Sequence, residues 1–194
     1  MCHKSREELS GTGALRYIIH GEALGIDQRP TCRARRRWWD LGVRAGAPVF
    51  CNYLIDEVMR FYASSRPVLV GDNFQELHAD LEPSLLAAAC NSTICQLFAN
   101  VLGRSNFGGG LLKLQTYEVG DLWIPDPRLL GAELGQMLPT MELLALDGDD
   151  RLALDRVIFD RLGLTGGEGD AIRAAVARMV SNRVDRAQSL RPLQ

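Results

Sequence analysis

The sequence predicts an α+β domain: a mixed, largely antiparallel sheet with a long amphipathic helix, followed by a C-terminal helical tail. Three observations carry this expectation. Short β-rich runs bounded by turn residues fall before residue 80, the apolar period lengthens at Pro83, and only helical patterns remain beyond Pro127. The body is therefore expected over residues 1–127, with residues 128–194 as a tail packed on it.

Ser5 to Glu8 fits a capping box, so a short helix should open the chain. Leu15 to Ile19 reads either as a β segment or as the end of that helix, before a loop from Gly25 to Pro30. Pro48 to Ile55 and Pro67 to Val70 are β-rich runs, and at least three strands are expected before residue 80. From Pro83, the residues Leu86, Cys90, Ile94, Leu97 and Val101 recur at spacings of three and four. That is the stripe of one long helix, with Pro83 in its first turn and Gly103 at its end. After Gly108 to Gly110, the segments Leu111 to Tyr117 and Asp121 to Ile124 are two more strand candidates, closed by Pro125 to Pro127. Asp149 to Leu162 reads as a helix stopped by Gly163. Thr165 and Glu168 form a capping box that opens another, running to about Ala187.

With 194 residues the chain can bury roughly 70% of its unfolded surface. A hydrophobic share of 46%, a charged share of 24% and a mean hydropathy of -0.06 are those of a globular domain rather than a disordered or fibrous chain. The most apolar stretch, Leu85 to Leu102, is broken by Asn91, Ser92, Thr93, Gln96 and Asn100, so no membrane association is expected. The first residues lack the apolar core of a secretory signal, and the five cysteines form no Cys-x-x-Cys pair. A cytoplasmic location with small buried thiols is the expectation.

A net charge of -2 conceals a local asymmetry. Residues 29–44 hold six arginines against Asp40 alone, a local charge of +5, whereas residues 117–170 hold 12 acids and 4 arginines. Arg33, Arg35, Arg36 and Arg37 run into Trp38 and Trp39. Arginine forks suit phosphates and guanine edges, and an indole can stack on a base, so these six are candidate DNA-binding residues. The alternative is that the tryptophans are core and the arginines a solvated face. The segment Gly103 to Gly110 is a flexible loop that lets backbone approach a ligand, with Arg104, Asn106 and Lys113 supplying polar groups, or else a plain glycine-rich turn. It lacks the Gly-Lys-Ser/Thr of a phosphate loop and follows a helix rather than a strand. The three histidines have no metal-ligand spacing and no Gly-x-Ser-x-Gly elbow occurs, so no catalysis by this chain alone is expected.

Several short segments, in order, resemble one family. They are Tyr17-Ile18 with Gly21-Glu22, Arg29 to Arg33 through Arg37 to Leu41, and Pro48 to Phe50 with Asn52. Further along come Asn91-Ser92, Gly103-Arg104 with Gly108 to Leu114, and Ile124 to Pro127; the tail from Leu154 through the Arg183 region fits as well. They are similar to the C-terminal part of class I N6-adenine-specific DNA methyltransferases of restriction-modification type, the Eco57I-like and TaqI-like enzymes. The resemblance implies a target-recognition domain that docks on double-stranded DNA and selects the site. It also implies that S-adenosylmethionine binds on a catalytic domain this chain lacks, so no cofactor is expected here. Phe107 to Gly110 is in the wrong context for the family's Phe-x-Gly-x-Gly loop. Asp126 to Leu129 lacks the second proline and the aromatic ring of the Asn/Asp/Ser-Pro-Pro-Tyr/Phe motif. A separate catalytic chain is the implied partner. The other reading is a protein-interaction subunit that docks on such a chain without reading DNA.

Overall fold

A computed structural model describes residues 2–105, 109–137 and 148–189. The chain divides into two compact units, Met1–Ala45 and Gly46–Gln194.

In the first unit the Ser5–Glu8 box does form. Ser5 N donates to Glu8 Oε2 at 2.7 Å and Glu8 N to Ser5 Oγ at 3.3 Å. It closes a turn rather than opening the expected helix, because Gly11 follows at φ +75° and the chain is capped afresh by Thr12, whose Oγ1 accepts from Leu15 N at 3.2 Å. Helix α1 is therefore Gly13–Ala23, so Leu15 to Ile19 is helical rather than β. A 3-10 turn, Ile26–Gln28, and the single-turn helix α2, Pro30–Arg33, replace the predicted loop.

The second unit is built on a three-stranded antiparallel sheet of order β3-β1-β4, formed by β1 (Ala47–Asn52), β3 (Phe61–Val68) and β4 (Phe74–Leu77). Cys51 at its centre pairs with Phe61 on one side and Gln75 on the other. The inner face, with Val49, Cys51 and Phe61 buried, lies in one core with Leu86, Ala87 and Cys90 of α3 (Pro83–Asn91). The outer face carries Phe50, Tyr62 and Phe74 ring against ring. Strand β3 starts six residues before the predicted Pro67 and tolerates that proline because it is an edge strand, where a missing N–H leaves no ladder bond unmade. Strand β4 escapes the alternation pattern because its inward residue is polar: Gln75 turns inward and its Nε2 donates to Leu114 O at 2.7 Å.

The long helix predicted from Pro83 is two helices, α3 and α4 (Thr93–Leu102), meeting at 67°. The break lies at Ser92, which is extended at ψ 155°; its Oγ donates to Ala89 O at 2.7 Å and accepts from Cys95 N at 3.3 Å. The flanking amides explain the bend. Asn91 takes both backbone groups of Phe61, at 3.1 and 2.8 Å, and Gln96 both backbone groups of Met59, at 3.0 and 2.8 Å. Residues that interrupt the apolar run in sequence thus complete the hydrogen bonding of strand backbone in the core. No single helix among the described residues is long and apolar enough to cross a membrane.

Of the two later strand candidates, only Leu112–Lys113 (β5) is extended; it pairs antiparallel with β2 (Leu54–Ile55). Residues 114–117 leave the strand because Gln115 and Glu118 form a capping box that opens α5 (Thr116–Gly120), and Asp121 to Ile124 form no strand. Helices α6 (Gly131–Met137), α7 (Asp149–Arg161) and α8 (Gly166–Ser189) follow. Gly163 at φ +70° ends α7, and Thr165 with Glu168 forms the expected box before α8. Leu130, Leu134, Leu154 and Ile158 join Ala88 and Ala89 of α3 in a second core, to which residues on both sides of the 127/128 boundary contribute. Asp155 accepts from Thr93 N at 2.9 Å and Thr93 Oγ1 at 2.6 Å, which fastens α7 to the start of α4.

Candidate nucleic-acid interface

Within the first unit, Pro30 sets the first turn of α2, Arg33 ends it, and Arg35 to Arg37 leave the helix as irregular backbone. Arg33, Arg35 and Arg36 are exposed. Arg37 is not available in the same way: it is half-buried, and its Nε and Nη2 donate to Asp40 Oδ2 at 3.2 and 2.6 Å. Asp40 also accepts from Gly42 N at 2.9 Å and lies 2.8 Å from His3 Nδ1. The Gly42 N–H first, then Arg37 and His3, hold its carboxyl well below the usual carboxylate range.

The two tryptophans face protein. A Cβ on Gly21 of α1 would stand 2.6 Å from Trp38 Cη2, so only glycine admits the indole there. Trp38 Nε1 donates to Glu22 Oε1 at 3.3 Å, and Glu22 also accepts from Arg6 at 2.5 Å. Trp39 meets Trp38 edge to face at 6.2 Å, and its Nε1 donates to Lys4 O at 3.4 Å. Both rings are half-buried and support the segment from behind. The side chains left to meet a ligand are Arg33, Arg35 and Arg36. The side chains of Arg33 and Arg36 have no hydrogen bond or ion pair among the described residues, and the Arg35 guanidinium donates only to Trp38 O at 3.3 Å.

In the second unit the structure brings Arg104 and Lys113 together. Their backbones exchange hydrogen bonds at 2.9 and 3.0 Å, and Lys113 also pairs with Leu54 of β2. Directly paired antiparallel residues project to one face, so Leu54, Lys113 and Arg104 share a surface. Two tyrosines that sequence reasoning passed over complete it. Lys113 Nζ lies 4.4 Å from the centre of the Tyr53 ring, and Arg104 donates to the hydroxyl of Tyr117, which is 61% exposed. Arg104 is also held by Glu118 Oε1 at 2.7 Å. Glu118, buried beside it, is lowered by the Gln115 N–H first and then by Arg104. The signal that could have found this group is the Gln115/Glu118 box, which turns Tyr117 and Glu118 onto a helix beside the loop.

Close packing at the start of the glycine-rich segment and a left-handed turn before Lys113 both require glycine. A Cβ on Gly103 would stand 2.6 Å from Leu112 Cγ; Gly110 adopts φ +77°, and a Cβ there would come within 3.1 Å of Val184 Cα in α8. Asn106 lies outside the described residues. Among the described residues no group of three histidine, cysteine or acidic side chains is placed to hold a metal ion.

The family model described as the C-terminal domain of type II methyltransferase M.Eco57I matches residues 2–145. The match takes in the arginine cluster, the sheet, α3, α4 and the glycine-rich loop, and ends before the tail segment from Leu154 that also suggested the family. No curated protein and no solved structure matches the chain.

Proposed function

Because the chain belongs to the family of the type II methyltransferase M.Eco57I C-terminal domain, a methyltransferase-associated domain of restriction-modification type, we propose that it is a DNA target-recognition module. Its partner is double-stranded DNA, read in the cytoplasm beside a catalytic domain or chain that binds S-adenosylmethionine and transfers the methyl group. The observation that carries this reading is the exposed run Arg33, Arg35 and Arg36, while the one acid within residues 29–44, Asp40, is already taken by Arg37, His3 and Gly42. Three cations with no ion pair among the described residues, on a segment braced by two indoles, favour phosphate or guanine contact. Lys113, stacked on Tyr53, adds a second cation beside Arg104, whose charge is paired with Glu118.

The test is selection from a pool of duplexes carrying a randomised central segment, followed by affinity measurement on the enriched sites. Enrichment of one short sequence, with each changed base pair weakening binding by about 1 to 3 kcal/mol, is the expected result. Binding without sequence preference, or no duplex binding alongside firm binding to a methyltransferase catalytic domain, replaces this reading with the protein-interaction one.

A further inference from the structure

Asp40 is the one acid within residues 29–44, and the fold engages both of its oxygens. Oδ2 accepts from Arg37 Nε and Nη2 at 3.2 and 2.6 Å, while Oδ1 accepts from Gly42 N at 2.9 Å and lies 2.8 Å from His3 Nδ1. Two donors on one guanidinium edge, aimed at one anionic group, are the arrangement with which arginine takes a phosphate. The Asp40 carboxylate therefore stands where a phosphate would stand, and Arg37 is occupied from within the chain.

This pairing separates Arg37 from its neighbours, since the side chains of Arg33, Arg35 and Arg36 form no ion pair among the described residues. The clamp is local and partly open: the Arg37 and Asp40 side chains are 30% and 15% exposed. The Gly42 N–H and His3 hold the carboxylate independently of Arg37, so the acid keeps its place and its charge when the arginine is drawn away. Glu8 also feels the Arg37 charge, but its Oε2 accepts from Ser5 N and no ion pair joins it to Arg37 among the described residues. Asp40 is thus the acid that decides whether the Arg37 fork is available.

We propose that Asp40 is a positioning residue that holds Arg37 off the DNA phosphates and so limits the phosphate contacts of the run to Arg33, Arg35 and Arg36. It acts as an internal competitor: its carboxylate fills the Arg37 fork, and its charge opposes a phosphate that approaches the same place. The affinity it restrains is the sequence-independent part, because a phosphate contact carries no sequence information. This inference rests on the reading of the domain as a DNA module.

Duplex affinity is measured against salt concentration for the full chain, D40N, R37A, D40N/R37A and E7Q. D40N keeps the size of the side chain and an acceptor for Gly42 N while removing the charge. Each phosphate contact contributes about 0.9 to the slope of log K on log salt. The expected result is a slope steeper by about 0.9 in D40N, an extra weakening of roughly 3.5-fold between 50 and 200 mM salt, with the parent slope in R37A and in D40N/R37A. E7Q, which removes the same charge from an exposed position of the same unit, should also keep the parent slope. In a parent that binds duplex, a D40N slope no steeper than the parent's overturns the proposal, and so does an equal steepening in D40N/R37A, which assigns the gain to charge alone. If D40N does not fold, R37A decides: the parent slope supports the restraint, and a slope reduced by about 0.9 shows that Arg37 already meets a phosphate and overturns it. If the parent binds no duplex, the function proposed above fails and the restraint is judged with inorganic tripolyphosphate alone. A rise in melting temperature larger in D40N than in D40N/R37A supports it, and equal rises overturn it.

Discussion

Reversing Arg35 and Arg36 to glutamate tests the DNA reading where fold and function separate. Both side chains are exposed, and the one hydrogen bond lost is that from Arg35 to Trp38 O at 3.3 Å. Surface substitutions of this kind change stability by about 0.5 kcal/mol or less, so the unfolding midpoint should hardly move. Binding should respond very differently. If Arg33, Arg35 and Arg36 each neutralise one phosphate, they contribute about 2.7 to the salt slope, which weakens binding roughly 40-fold between 50 and 200 mM salt. Removing two contacts takes about 1.8 from the slope, and the two new carboxylates repel phosphate besides. Trp38→Ala should behave in the opposite way: it empties the space against Gly21 and breaks the bond to Glu22, costing about 2 kcal/mol of stability for a half-buried indole. Fluorescence anisotropy on a labelled duplex, at four salt concentrations, and urea unfolding of each variant give both quantities. Unchanged affinity and slope in a folded R35E/R36E variant, from a parent that binds duplex, refute the assignment of this cluster to the DNA surface.

Four further outcomes are expected. Arg151 is fully buried, its three guanidinium nitrogens have no hydrogen-bond partner, and burial pushes its pKa down to about 10, so it depends on the nearby Asp155 carboxylate. Asp155→Asn should destabilise the domain by about 3 kcal/mol and R151M in the same background should restore most of that; equal unfolding midpoints for single and double variants count against the coupling. Gly21→Ala should cost about 1 to 3 kcal/mol, because its Cβ would overlap the Trp38 ring, and a wild-type melting temperature would show that the indole sits elsewhere. The folded-state pKa of Asp40 is lowered, so its stabilising contribution is present above the unfolded carboxylate pKa of about 3.9 and disappears as pH falls through the folded value. Acid unfolding followed by tryptophan fluorescence should be flatter in D40N, and an unchanged profile contradicts this. Finally, the purified chain should transfer no labelled methyl group from S-adenosylmethionine to duplex DNA; incorporation in a preparation free of host methyltransferase would show a catalytic site that the family's two missing motifs do not predict.

The sequence by itself determined what depends on neighbours in the chain. Gly163 at a left-handed turn and Thr165 with Glu168 specify the gap between α7 and α8, because dihedral preference and capping act within four residues. The β-rich run from Pro48 and the ordered segments from Tyr17 to Pro127 were likewise sufficient for the fold class and the family. Sequence patterning failed where a side chain's partner lies far along the chain. Asn91 and Gln96 look like interruptions of a helix until they bond strand backbone 30 and 37 residues away and bend the helix at Ser92. Gln75 hides strand β4 for the same reason, since its inward amide donates to Leu114 O, 39 residues on. The candidate site divides along the same line. Composition located the arginine cluster, the Arg104 and Lys113 pair and the glycine-rich loop, but only tertiary structure decided that Arg37 is spent on Asp40 and that Trp38 and Trp39 face protein. Tertiary structure also brought Tyr53 and Tyr117 beside the cations and drew Arg183 of the tail to Gly110. A charge is counted from sequence, but its availability depends on which acid, carbonyl or ring the fold has already placed against it.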